Sequence, residues 1–456
     1  MKFLIIGAGS VGTSLAKSLA DHNHDVVLIE ANESRAFDNS AEGDYLAVVG
    51  NGCNPGTLIE AGIQTADFIV AVTNNDEVNI AACLVAKLIN NNCKRIARIR
   101  DISFEHSDIA PEHLAEHFDL IINPSLAAAE HLVRLFKAPR ARDSYDFADG
   151  RLRVVGLKVT STSPVKDQKL IVLQKKPLDY PILVLAIVRN GKLTIPRGTD
   201  RVMEGDLIYS MSVPEGTKYL FELAGQEFFV GKTAMIWGGS AIARPLVEQL
   251  TKLGVDIKLL MTESWRAQEA AEDVSDNVIV FNGSGLDQDL LEQENVSSFD
   301  AFFAVSADEE DNILSSLLAK RLGAKVVFAL INQPDYLPLT SAIGIDGVVS
   351  SRVAAAAEIF QHIHADAVAS ELLLPEHNAG FLEVYASEEM SFINIPLKDL
   401  KLPHGIIIAA LVSKNGVKIP KGDDAIKAGD RVVIFVEANA VKKLEKILNI
   451  QLEFFQ

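Results

Sequence analysis

The residues with the most chemical promise stand at the start of the chain. Gly7-Ala8-Gly9-Ser10-Val11-Gly12 follows an apolar run and precedes a stretch of helical periodicity. In that context Gly7 permits a tight turn, Gly9 lets backbone approach a pyrophosphate, and Gly12 lets a helix pack against its strand. The free amides at the helix start then face the phosphates. Glu30 closes the next apolar run, where a carboxylate can hold ribose hydroxyls and would repel a 2′-phosphate. This favours NAD, NADH or an adenine nucleotide (ATP or ADP) over NADP. Gly50-Asn51-Gly52 and Thr73-Asn74 end the following two runs, on the edge where such ligands lie. Arg98 falls within a predicted strand, where a charge needs either a carboxylate partner or a phosphate.

A second glycine turn, Gly238-Gly239-Ser240-Ala241-Ile242-Ala243, also follows an apolar run. It keeps the first glycine, but Ser240 and Ala243 replace the second and third. Met261 stands in the place of Glu30, and Ala329 in that of Arg98. The residues lost are the ligand-side ones, so this site is expected to have lost nucleotide or to bind something different. Other candidates are weaker. His113 and His117 share a helical spacing, with His106 nearby, but no third ligand is placed. His362 and His364, with Asp366, point to different faces of a helix. The sequence assigns no metal and no catalytic residue. No Tyr is followed four residues later by Lys, so the proton donor common in short-chain reductases is absent.

Elements that could position these residues recur through the chain. Strands are predicted at 2–6, 25–29, 46–49, 68–72, 95–99 and 120–122, with helices such as 11–20 and 77–88 between them. That alternation predicts a doubly wound parallel sheet. A different texture follows: strand 182–189, Asn190-Gly191, then 192–195, a hairpin signal. The pattern then repeats. Ala71-Val72-Thr73 returns as Ala304-Val305-Ser306, and Ala127-Ala128-Ala129-Glu130 as Ala355-Ala356-Ala357-Glu358. Asn190-Gly191 and Gly205-Asp206 return as Asn415-Gly416 and Gly429-Asp430, in one order and at nearly one spacing. The fold class is therefore α/β: two Rossmann-type domains, each followed by a small α+β module. The alanine-rich helices at 124–136 and 351–363 could present Leu126, Val133 and Phe136, or Val353, Ala357 and Phe360. Those faces would meet another unit or an internal core.

Bulk properties narrow the partners. The 456 residues carry 61 acidic against 43 basic side chains, a formal net charge of -18. That disfavours nucleic acid and anionic lipid, both of which recruit clustered Lys and Arg. The longest apolar runs, 182–188 and 406–412, are strand-sized rather than the roughly 18 residues of a membrane helix. Phe3-Leu4-Ile5-Ile6 is too short for a leader core. Cys53, Cys83 and Cys93 are odd in number and dispersed, which fits a reducing cytosol.

With these residues in place the sequence resembles the TrkA family, duplicated RCK-domain regulators of potassium uptake. The resemblance is carried by Gly7–Gly12 with Glu30, Ala71-Val72-Thr73-Asn74, Arg95-Ile96-Ala97-Arg98-Ile99-Arg100 and Ala319-Lys320-Arg321-Leu322-Gly323-Ala324-Lys325. It implies Rossmann-type domains at 1–140 and 230–366, with ligand or dimerisation modules at 143–226 and 368–453. It further implies a non-enzymatic, cytoplasmic regulator, a homo-oligomeric (tetrameric) ring at the inner face of the membrane, attached through a TrkH-type potassium-translocating subunit. A soluble NAD-dependent dehydrogenase is the alternative. An enzyme has no evident reason to keep a second Rossmann domain stripped of ligand residues.

Overall fold

The computed structural model describes residues 1–21, 23–40, 44–100, 113–114, 116–138, 141–173, 180–272, 274–336, 339–340, 343–363, 368–374, 378–388, 390, 392–400, 402–414 and 416–448. His106, His364, Asp366 and Asn415 lie outside them. The chain forms two compact units. The first holds Met1–Ala127 and Ser351–Ile363; the second begins at Ala128, runs to Ser350 and resumes after Ile363.

In the first unit β1 (Lys2–Ile6), β2 (Asp25–Glu30), β3 (Leu46–Val49), β4 (Phe68–Ala71), β5 (Lys94–Arg98) and β6 (Leu120–Ile122) form one sheet in the order β3-β2-β1-β4-β5-β6. Every pairing is parallel. Helices cover both faces, which is why β4 reads Phe-Ile-Val-Ala with all four residues buried. The strand order reverses between β1 and β4, opening a crevice at their carboxyl ends. The helix Ser351–Ile363 packs on β6 and on the helix Ser10–Asp21 in this unit. Its Ala355, Ile359 and Ile363 are buried, while Val353 stays 59% exposed. The side chains of Ala357 and Phe360 lie outside the description.

The second unit contains the same Rossmann sheet again: β12 (Thr233–Trp237), β13 (Asp256–Met261), β14 (Val278–Asn282), β15 (Ala301–Ala304), β16 (Val326–Leu330) and β17 (Gly347–Val349), ordered β14-β13-β12-β15-β16-β17. From Ala128 on, the helix Pro124–Phe136 belongs to this unit. Its Ala128, Leu132 and Phe136 share a core with Ile236, Leu246 and Phe303. Phe136 lies 5.8 Å from the Phe303 ring, and a Cβ on Gly231 would come within 2.3 Å of Phe136. The two alanine-run helices are thus exchanged: each packs in the unit that holds the other copy's sheet. The internal-core reading holds, but for the domain that carries the other copy's sheet.

Two small antiparallel sheets complete this unit. The first has β7 (Asp143–Phe147), β8 (Leu152–Lys158), β9 (Ile182–Arg189), β10 (Lys192–Thr194) and β11 (Leu207–Ser212), ordered β10-β9-β11-β8-β7. The second has β18 (Val368–Leu374), β19 (Ala379–Tyr385), β20 (Ile406–Ser413), β21 (Gly416–Lys418) and β22 (Arg431–Glu437), ordered β18-β19-β22-β20-β21. The connectivity is identical. Asn190 and Gly191 both have positive φ (50° and 75°), as a type I′ hairpin requires. In the second module Gly416 pairs directly with Ser413, so it is the first residue of the returning strand and not a central turn residue. Gly205 and Gly429 turn the chain at φ 85° and 84°. Asp206 is then buried, where it accepts both Arg189 Nε and Nη2 at 2.7 Å. The two modules share one core, in which Phe147 meets Phe381 at 5.4 Å. Glu383 bridges them: it accepts the Ala148 amide at 3.2 Å and pairs with Arg431, which also holds Asp149 at 2.8 Å.

Candidate functional site

The crevice of the first unit is built from the backbone upward. Gly7 turns the chain off β1 at φ 103°, and a Cβ there would press on Thr73 at 3.1 Å. Gly12 has no room at all: its Cβ would lie 2.0 Å from the Gly7 carbonyl oxygen. These two glycines are demanded by packing. Gly9 is different, because a Cβ there would meet no protein atom within 4 Å. The fold tolerates a side chain at that position, so packing does not demand glycine there. Ser10 and Val11 open the helix Ser10–Asp21, whose first-turn amides border the same space.

Glu30, at the end of β2, reaches back to this turn. Its Oε2 accepts the Ala8 amide at 2.8 Å and its Oε1 accepts the Asn32 amide at 2.9 Å. The carboxylate therefore fixes the turn as well as facing the crevice. Asn51 is used differently, since its Oδ1 accepts the Cys53 amide at 2.9 Å in a local turn. Beneath that loop, a Cβ on Gly52 would come within 2.3 Å of Ile6, so the loop lies flat on β1.

On the far side of the switch point, sequence reasoning found Thr73 but missed the residue that holds it. Asn79 is fully buried on the helix Asp76–Ile89. Its Oδ1 accepts the Thr73 amide at 2.9 Å and Thr73 Oγ1 at 2.7 Å, and its Nδ2 donates to the Arg98 carbonyl at 2.8 Å. One side chain thus ties the ends of β4 and β5 together. Asn312 repeats this in the second copy, accepting Ser306 N at 2.8 Å and donating to the Leu330 carbonyl at 3.0 Å. The available signal was an amide on the apolar face of a helix, six residues after Thr73 and again after Ser306.

Arg98 carries the local charge. Its Nη1 donates to Asn74 Oδ1 at 3.4 Å, and its Nε is buried with no hydrogen-bond partner. It pairs with no carboxylate among the described residues. Burial, then the neighbouring Arg100, lower its pKa. Arg95 and Arg100 are by contrast neutralised, the former by Asp119 at 3.1 Å and the latter by Asp76 at 3.2 Å. A guanidinium with no carboxylate of its own, the nearby Asp76 being paired with Arg100, suits an incoming anion at a sheet's carboxyl edge.

The second turn has the same backbone and a different surface. Gly238 (φ 132°) cannot carry a Cβ, which would lie 2.4 Å from Ser306 N. Gly239 gives its carbonyl to Arg266 Nη1 at 3.0 Å. Ser240 Oγ turns inward and donates to the Val305 carbonyl at 2.5 Å. Ala241 is exposed, whereas Ile242 and Ala243 sink into the core. Met261 packs on that core, and the place of Arg98 falls to Leu330 rather than to the expected Ala329, because Ala97 pairs with Ala71 as Ala329 pairs with Ala304. His117 lies 3.3 Å from Lys87 Nζ.

The TrkA-N domain family matches residues 3–124 and 234–351, and the TrkA-C domain family matches 382–449. The chain is 32% identical to the Trk system potassium uptake protein TrkA of Azorhizobium caulinodans, covering 100% of both chains. It is 34% identical to TrkA homolog 1 of Methanosarcina mazei, over 98% of this chain and 99% of that one. The chain belongs to the TrkA family. The fold agrees with that membership: the solved GsuK channel bound to NAD superposes with a TM-score of 0.60 at 17% identity, over 98% of this chain and 79% of that one. The GsuK RCK domain gives the same TM-score at 16% identity, over 98% and 95%. The TrkA-C match covers only the second small module, yet the first has the same strand order. Among the described residues no helix is long and apolar enough to cross a membrane.

Proposed function

We propose that this chain is the nucleotide-sensing regulatory subunit of a Trk-type potassium uptake system, and that NAD or NADH bound at the first crevice is its signal. Gly7, Ala8, Gly9, Ser10, Val11 and Gly12 would cradle the pyrophosphate, Glu30 the ribose, and Thr73, Asn74 and Arg98 the opposite side. The observation that carries this reading is the contrast at the turn. Gly9 needs no glycine for packing and Arg98 has no carboxylate paired with it among the described residues, whereas the second copy has covered its turn with Arg266 and Ser240.

The chain would work as four modules, 1–140, 143–226, 230–366 and 368–453, in a homotetrameric ring against the inner face of a TrkH-type membrane subunit. Control follows from differential binding: nucleotide shifts the ring only as far as it prefers one shape. Couplings of this kind amount to about 1–3 kcal/mol per effector. Mass spectrometry of nucleotide retained by the purified protein tests the ligand and separates NAD from ATP or ADP. Potassium flux through the reconstituted membrane subunit, with and without this chain and nucleotide, tests the role. Flux unchanged at every nucleotide, with NADH consumed against a metabolite, would replace the regulator by a dehydrogenase.

A further inference from the structure

Beside the second glycine turn lies a cavity of about 320 Å³ between the helices Ala243–Lys252 and Ser264–Glu272. Its floor and walls are Leu259, Met261, Val247, Ala270 and Val274, with Trp265 at the mouth. The first copy shows what this place is made from. Register sets Leu28 opposite Ile5 and Leu259 opposite Ile236, so β2 and β13 correspond residue by residue. Glu30 then corresponds to Met261, Ser34 to Trp265 and Asn39 to Ala270. Three polar positions have become apolar together, and all three line one cavity.

Loss of a site does not explain that change. A surface freed from ligand has no physical reason to acquire an indole that stays 60% exposed, because exposed apolar area is unfavourable in water. The cations at the rim are already satisfied: Arg244 pairs with Glu248 at 3.1 Å, and Arg266 with the Gly239 carbonyl at 3.0 Å and Glu263 at 4.0 Å, while Glu269 adds a negative charge there. The Arg266 guanidinium also stacks 5.1 Å from the Trp265 ring. No free cation among these awaits a phosphate, and the opposite edge carries Asp308, Glu309, Glu310 and Asp311.

We propose that the second Rossmann domain binds a small uncharged planar ring compound in this cavity, between Met261 and Trp265, in place of a dinucleotide. The size lies at the lower end of ligand pockets and suits a single ring system. A thioether and an indole face are both favourable surfaces for an aromatic ring.

Trp237 and Trp265 are the chain's two tryptophans, and Trp237 is only 3% exposed, so Trp265 reports the site. The full chain is titrated with 4-nitrobenzyl alcohol, an uncharged ring that quenches indole on contact, with and without saturating NAD. Saturable quenching, undisturbed by NAD, is expected. Met261→Glu, which puts a carboxylate into the apolar floor, should weaken it roughly tenfold or more. Ala270→Leu fills the cavity without burying charge and should abolish saturation while circular dichroism and melting stay native. Purely linear quenching, alike in all three proteins, overturns the proposal. Displacement by NAD overturns it in favour of a second dinucleotide site. A changed sedimentation coefficient with unchanged quenching in Met261→Glu overturns it in favour of a subunit contact.

Discussion

The two Rossmann domains share strand order, register and the Asn79/Asn312 clamp, yet they treat the same crevice in opposite ways. The first leaves a glycine that packing does not require and an arginine with no paired carboxylate; the second uses Arg266 and Ser240 to satisfy its own turn. What persists in both copies is what the sheet needs, namely Gly7 and Gly238 at positive φ against Thr73 and Ser306. On the reading proposed above, what differs is what a ligand would need, with Glu30 serving the turn as well. Comparing copies within one chain therefore separates residues serving the fold from residues serving a partner.

The largest effect is expected from Gly9→Asp, which sets an anion against the pyrophosphate. Nucleotide affinity should fall more than about a hundredfold and control of potassium flux should vanish. The melting temperature should hardly move, because a Cβ at Gly9 meets nothing. Ser240→Asp, its counterpart, should leave nucleotide affinity where it was; equal losses from both would erase the contrast. Calorimetry on the intact chain should likewise give one nucleotide per chain, and a stoichiometry of two would show the second turn to be active. Cutting the chain into halves is a poor substitute, since each unit contains a helix from the other half.

Glu30→Ala comes next. A charge-assisted hydrogen bond is worth about 1.5–3 kcal/mol, so nucleotide should bind roughly ten- to a hundredfold more weakly in a calorimetric titration. Unchanged affinity would put the ribose elsewhere. Asn79→Ala and Asn312→Ala should each cost about 1–3 kcal/mol in chemical denaturation by stranding buried backbone groups. Only Asn79→Ala should also weaken nucleotide.

The last effect concerns the exchanged helices and is read as a slope against pH. Burial, with Arg134 adding to it, pushes His131 down to about 3, while the other copy has Ile359 at this place. The fold therefore keeps the ring neutral, and the unfolded chain takes up a proton below about pH 6.5. Stability present at neutral pH should be lost as pH falls from about 6.5 toward 3, by at most about 1.4 kcal/mol per pH unit. His131→Ile should flatten that slope in denaturant melts between pH 6 and 4.5; a slope unaffected by the change would assign it to other groups.

Local rules carried the sequence a long way. Runs such as Phe3-Leu4-Ile5-Ile6, closed by glycines, fit strands buried on both faces, those glycines allow a tight turn, and Asn190-Gly191 permits the two positive φ angles of a hairpin. Glu30, Thr73 and Arg98 were legible because strand ends in a doubly wound sheet converge on one edge. Long-range competition for hydrogen bonds and space was not legible. Asn51 spends its side chain on its own loop, Asn79 reaches across two strands, and Gly9 differs from Gly12 only through what surrounds it. Nor does periodicity say which sheet an apolar helix face covers. The alanine runs at 124–136 and 351–363 fixed two close-packing helices, but their exchange between units was decided by tertiary packing, through contacts such as Phe136 on Phe303 that no local pattern encodes.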